Sequence, residues 1–214
     1  MKELIEKYLE PTLSDKNHRY KSWEHCFKAF SNPYDKVDYL ALQLAFYLAS
    51  WGMYRGSSGL LWKDYTVHTG AVEIIRKHFY LRTQCFNGRP ELNDILNVVR
   101  ELKDYYSRIE YFNGDNVKDY VTATHTLISK IVLGTLGCLP AFDRYFNLGL
   151  FNTEYSVING KSIDLIWEKA EAMKSEIKLV QEWISQQTGT LYPPMKIIDM
   201  YYWQLGFDKK ETTK

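Results

Sequence analysis

Val37-Asp38-Tyr39-Leu40-Ala41-Leu42-Gln43-Leu44-Ala45-Phe46-Tyr47-Leu48-Ala49-Ser50-Trp51 is the stretch whose reading decides the fold. Apolar side chains fall at nearly every angle of a 3.6-residue helical wheel, which predicts a helix apolar almost all round, the central and most buried element of the chain. Its apolar part, from Leu40 to Trp51, is broken by Gln43 and Ser50. It is shorter than the roughly 20 residues that a bilayer crossing needs, so no membrane partner is expected.

The flanking segments repeat the helical period. Upstream, Lys2 to Glu10 reads as a short helix stopped by Pro11, and Tyr20, Trp23, Phe27 and Phe30 share one stripe of a second helix that Ser14 or Asp15 can cap. Asn32-Pro33 reads as the opening of the third. Downstream, helices are expected over Val67 to Gln84, Glu91 to Ile109 (closed by Asn113-Gly114) and Val117 to Leu136. A short one is framed by Pro140 and Asp143, and a long one is capped by Ser162 and runs to Gln187. The last opens at Pro193-Pro194 and is stopped by Gly206, which leaves 208–214 as a frayed tail. Only Phe146 to Gly160 has room for a hairpin. The fold class expected is therefore all-α: one compact bundle of about seven to nine helices, spanning 1–214 as a single domain.

Composition narrows the function classes. Seventeen Tyr, ten Phe and six Trp make the chain 15% aromatic, enough both to fill a core and to line a groove. A net charge of +1 supplies no global field for nucleic acid or lipid, so anion binding has to be local. Cys26, Cys85 and Cys138 are odd in number and widely spaced, which indicates buried reduced thiols rather than disulfides or a zinc site. With no apolar leader at Met1-Lys2-Glu3, a cytoplasmic location is expected. No Walker loop, dinucleotide fingerprint, HExxH or GxSxG is present, and no metal or cofactor is expected; His68, His78 and His125 have no ligand spacing.

Three segments hold the candidate sites. In Tyr54-Arg55-Gly56-Ser57-Ser58-Gly59, two glycines bracket two serines near a helix start. Backbone N–H groups, hydroxyls and the Arg55 fork suit a phosphate or carboxylate there, with Trp51, Tyr54 and Trp23 as stacking surfaces. The alternative is a tight interhelical turn with a serine cap. In His18-Arg19-Tyr20-Lys21-Ser22-Trp23-Glu24-His25, the Arg19 to His25 spacing resembles the R-x4-6-H motif of HEPN-type ribonucleases. That resemblance implies Arg19 on phosphate and His25 in acid–base work, whereas helical geometry instead pairs Arg19 with Trp23 at i, i+4. In the third, Lys130 stands in an apolar helix and Asp143 follows in Pro140-Ala141-Phe142-Asp143. A desolvated lysine is a candidate nucleophile. Lysine followed by Pro-x-x-Asp resembles the helix-hairpin-helix DNA glycosylases, which implies Lys130 as the amine that attacks a sugar and Asp143 as its assistant. A snorkelling Lys130 and a capping Asp143 are the structural alternative.

Arg19 to Cys26, Tyr47 to Ser58 and Leu133 to Phe146 together look like a family of small bacterial all-helical proteins, which implies a bacterial cytoplasmic protein and nothing about chemistry. The function expected is binding of a phosphorylated ligand, nucleotide or nucleic acid at the Arg55–Gly59 turn, with cleavage or transfer as the chemistry to look for. The alternative is a non-enzymatic interaction protein, a homodimer or a partner subunit, with the aromatic segment Tyr192 to Phe207 as its interface.

Overall fold

A computed structural model describes residues 1–212 of the chain. Those residues form eleven α-helices and one two-stranded hairpin: α1 (Lys2–Ser14), α2 (Lys21–Ala29), α3 (Val37–Ser50), α4 (Thr69–Lys77), α5 (Tyr80–Asn87), α6 (Leu92–Tyr106), β1 (Glu110–Phe112), β2 (Lys118–Tyr120), α7 (His125–Thr135), α8 (Arg144–Phe151), α9 (Gly160–Ala172), α10 (Lys174–Thr188) and α11 (Pro194–Glu211). The all-α class holds; the count of seven to nine does not. Two long periodic runs are each split, because each half packs on a different neighbour. Thr69 to Asn87 breaks at His78, whose Nε2 meets Glu101 at 2.9 Å. Gly160 to Thr188 breaks at Met173; both halves touch α11, but α9 also reaches α6 and α10 reaches α1.

Three expected boundaries move for physical reasons. Pro11 does not stop α1, since the buried face of Ile5, Tyr8 and Leu9 continues to Thr12. Asn113 closes a hairpin rather than a helix: its carboxamide oxygen accepts from Asp115 N and Val117 N, each at 3.0 Å. The strands pair antiparallel with Glu110 opposite Tyr120 and Phe112 opposite Lys118, while Phe146 to Phe151 is helical instead. Gly206 does not stop α11, because there a glycine serves helix packing. A β-carbon on Gly149 of α8 would fall on the Tyr202 carbonyl, and one on Gly206 would fall on the Tyr145 carbonyl. Two helices thus touch backbone to backbone, and α11 continues to Glu211, pinned by Lys7 to Asp208 at 2.8 Å and Lys210 to Glu154 at 2.5 Å.

The most buried helix is α7, in which every residue from Leu127 to Thr135 is buried. By contrast α3 buries Leu40, Leu44 and Leu48 but leaves Tyr39, Leu42 and Phe46 exposed. Met200, Tyr202 and Trp203 of α11 are buried, so the segment expected as an interface is core. No helix of the described residues is long and apolar enough to cross a membrane.

Candidate functional site

The C-terminal end of α3 delivers Trp51 to the edge of the core, where it stays half-buried. Tyr20, just ahead of α2, stacks on it with ring centroids 4.8 Å apart and planes 17° apart, and Tyr8 of α1 stacks on the far side of Tyr20 at 5.0 Å. Arg19 folds over this stack. Its Nη1 donates to the Ser50 carbonyl at 2.8 Å, and its guanidinium lies 5.3 Å from the Trp51 ring and 5.2 Å from Tyr20. The expected partner of Arg19, Trp23, is instead a core residue only 1% exposed, stacked on Phe27, with its indole N–H donated to the Leu133 carbonyl at 3.1 Å. Trp23 offers no surface to a ligand.

Behind Trp51 lies Lys130, whose ammonium sits 4.8 Å from the ring and 3.0 Å from Asp143 Oδ2. Asp143 also caps α8, its Oδ1 accepting from Tyr145 N and Phe146 N at 3.1 Å each. One carboxylate therefore holds a helix start and a buried cation at once, and that divides its oxygens between two tasks. Ser129, next to Lys130, fixes the loop between them by accepting from Phe142 N at 2.8 Å. The capping role expected of Asp143 is present. Lys130 does not snorkel to water; it is 3% exposed and paired.

A second buried pair stands beside the first. Lys196 and Asp199 of α11 meet at 2.9 Å, and Lys196 lies 5.2 Å from the Tyr8 ring, 5.3 Å from Trp23 and 5.8 Å from Trp51. Asp199 Oδ1 accepts from Ala141 N at 2.9 Å, tying this pair to the loop that presents Asp143. Burial pushes the Tyr8 and Tyr47 hydroxyls well above their ordinary pKa, and the Asp199 and Asp143 carboxylates add to the effect. Sequence reasoning missed this pair, although its signal was the one that exposed Lys130: a lysine and an aspartate at i, i+3 within the apolar run Met195 to Met200.

The Arg55 turn is built differently from the expectation. Gly56–Ser58 is a single 3-10 turn, followed by two more over Leu60–Trp62 and Tyr65–His68, so no long helix starts there to add its dipole. Ser58 N donates to the Arg55 carbonyl at 3.0 Å and Arg55 N to the Met53 carbonyl at 3.1 Å. The Ser58 hydroxyl lies 2.6 Å from the Met53 carbonyl and accepts from Leu60 N at 3.3 Å. These groups serve the turn itself; Arg55 and Ser57 remain exposed. Tyr54 turns inward, its hydroxyl 2.8 Å from His68 Nε2, while His68 Nδ1 meets the Tyr106 hydroxyl at 2.6 Å. Burial drives His68 down to a pKa of about 3, so the imidazole is neutral and bridges the two tyrosines as one donor and one acceptor.

Arg19 and His25 are not brought together. His25 is exposed on α2, along a groove with Lys28, Tyr39 and Gln43, whereas Arg19 is folded onto Trp51. Arg144 pairs with Glu154 at 2.8 Å at the rim. Among the described residues no three His, Cys, Asp or Glu side chains are grouped so as to hold a metal ion. All three cysteines are buried and unpaired, and burial pushes the Cys85 thiol up to about 12. What converges is Arg19, Tyr20, Trp51, Lys130 and Asp143, drawn from the loop before α2, the end of α3, α7 and the start of α8. No protein family, curated protein or solved structure matches this chain.

Proposed function

We propose that the chain binds a phosphorylated ligand, a nucleotide or a nucleic-acid strand, at the Tyr20–Trp51 shelf under Arg19, with Lys130 and Asp143 behind it. The observation that carries this reading is the exposed Arg19 guanidinium, held over the Tyr20 and Trp51 rings by its bond to the Ser50 carbonyl. Lys130 and Asp143, in contact behind the Trp51 ring, brace that side of the shelf. The exposed Arg19 guanidinium is the fork for a phosphate, and the rim of the Tyr8–Tyr20–Trp51 stack, whose inner faces are already paired, is the apolar edge beside it. Arg55 and Ser57, exposed on the turn that follows Trp51 in sequence, are the second candidate phosphate contact. With a net charge of only +1, these local cations have to provide the attraction.

Thermal shift against nucleotides, polyphosphate and a single-stranded oligonucleotide tests the reading, with Arg19→Ala and Arg55→Ala beside the wild type. A ligand at one hundred times its Kd stabilises by about 2.7 kcal/mol, which is roughly 5–11 °C for a chain of this size. Arg19→Ala should remove most of that shift and Arg55→Ala a smaller part. A shift that Arg55→Ala abolishes and Arg19→Ala leaves intact would move the site to the turn. If no phosphate compound shifts the wild type, the reading is wrong.

A further inference from the structure

Apolar residues cover α3 on every side, yet one of those sides faces water. Tyr39, Leu42 and Phe46, at i, i+3 and i+7, are 41%, 47% and 55% exposed, while Leu40, Leu44 and Leu48 opposite them are fully buried. A helix with a solvent face ordinarily carries charge there, but from Tyr39 to Ala49 this one has none. Side chains at that spacing form the ridge by which one helix packs on another, and a contiguous exposed apolar ridge marks an interaction surface.

We propose that this ridge is the interface of a homodimer, in which the α3 helices of two copies pack antiparallel about a two-fold axis near Leu42 and Gln43. Two features fit a second copy of the chain. The ends of the ridge carry opposite signs: Asp38 is exposed in the first turn, and the Arg19 guanidinium is held on the Ser50 carbonyl at the last. Antiparallel pairing brings each Asp38 toward the Arg19 end of the other copy and sets the two helix dipoles against each other favourably. The ridge also pairs its own rings: Phe46 and Tyr39 lie equally far on either side of the axis, so the two-fold lays the partner's Phe46 against Tyr39. Beside Tyr39 runs a groove of about 340 Å³ whose walls are mostly polar, with His25, Lys28, Asn32, Asp35 and Gln43 among them. A surface complementary to itself under a two-fold is what an isologous dimer requires. Arg19 also lies over the Trp51 shelf, so the test of the interface rests on the ridge residues Leu42 and Phe46 and is read without ligand.

Size-exclusion with light scattering at micromolar concentration, with no ligand present, should give the wild type twice the 25.3 kDa of one chain. Leu42→Glu with Phe46→Glu should return it to one chain with unchanged circular dichroism, since both side chains are exposed. Gln43→Cys, next to the axis, should oxidise to a covalent dimer, whereas Leu179→Cys, 66% exposed on α10, should not. The native thiols are all buried and do not compete. A monomeric wild type overturns the proposal, as does a dimer that the double substitution leaves intact. A dimer with no Gln43→Cys cross-link overturns the antiparallel axis. If the double variant fails to fold, the pair of cysteine variants decides alone.

Discussion

Lys130→Met leaves the Asp143 carboxylate, 14% exposed, without its buried cation. Removing one member of a buried pair typically costs about 3–5 kcal/mol, because the remaining charge is desolvated and uncompensated. Here the loss belongs at the lower end, about 3 kcal/mol, since Asp143 keeps two N–H donors and the start of α8. For a chain of this length that is a fall in Tm of roughly 6–12 °C. Adding Asp143→Asn removes the stranded charge while an amide oxygen still caps Tyr145 and Phe146. The double variant should therefore recover much of the loss. Urea unfolding of wild type, both singles and the double closes the cycle, with an expected coupling of about 1–3 kcal/mol. Additive costs, with a coupling below about 0.5 kcal/mol, would refute the claim that the two side chains form one unit.

Other outcomes follow from the same geometry. Gly206→Ala should destabilise by about 1–3 kcal/mol or more, because its methyl meets the Tyr145 carbonyl. Gly160→Ala, where the nearest atom is 3.5 Å away, should stay within about 0.5 kcal/mol of wild type; equal Tm values for the two would contradict the backbone contact. His68 is held neutral with a pKa near 3, against about 6.5 when unfolded, so the unfolded chain binds the extra proton between those values. Its contribution is fully present above about pH 6.5 and is lost as pH falls toward 3, at up to about 1.4 kcal/mol per pH unit. Urea melts from pH 7 to 4 should show a shallower slope for His68→Gln, and an unchanged slope would count against the buried neutral imidazole. Cys26, Cys85 and Cys138 should be silent to a thiol reagent in the native protein and all three reactive in urea; rapid native labelling would contradict their burial.

Periodicity made most helices legible before any coordinate was known, and it failed where tertiary partners outweigh local pattern. Gly206 has the composition of a stop signal, and only the facing Gly149 on α8 turns it into a contact point. Asn113-Gly114 carries a hairpin signature, yet β1 and β2 are three residues each, too short to show an alternation against the helical background. The helix apolar all round was expected to be the most buried, and α7 holds that place while α3 keeps a ridge in water; hydrophobicity gives the need for burial and not the partner that meets it. At the site, Lys130 stood out because ionisable groups are rare in apolar runs, and Asp143 because it follows Pro140 at a position that caps a helix. That Arg19 would choose Trp51 over Trp23, and that Lys196 and Asp199 would join them, depends on how α1, α3 and α11 cross, which no local spacing encodes.

If Arg19, held over the Tyr20–Trp51 stack, takes the phosphate of a strand, the most direct test is the anisotropy of a labelled single-stranded oligonucleotide titrated with wild type and with Arg19→Ala, each first shown to be folded. A hydrogen bond to a charged group contributes about 1.5–3 kcal/mol, so Arg19→Ala should weaken binding by roughly 10- to 150-fold. Equal affinity for the two proteins, or no binding by the wild type even at low salt, would contradict it.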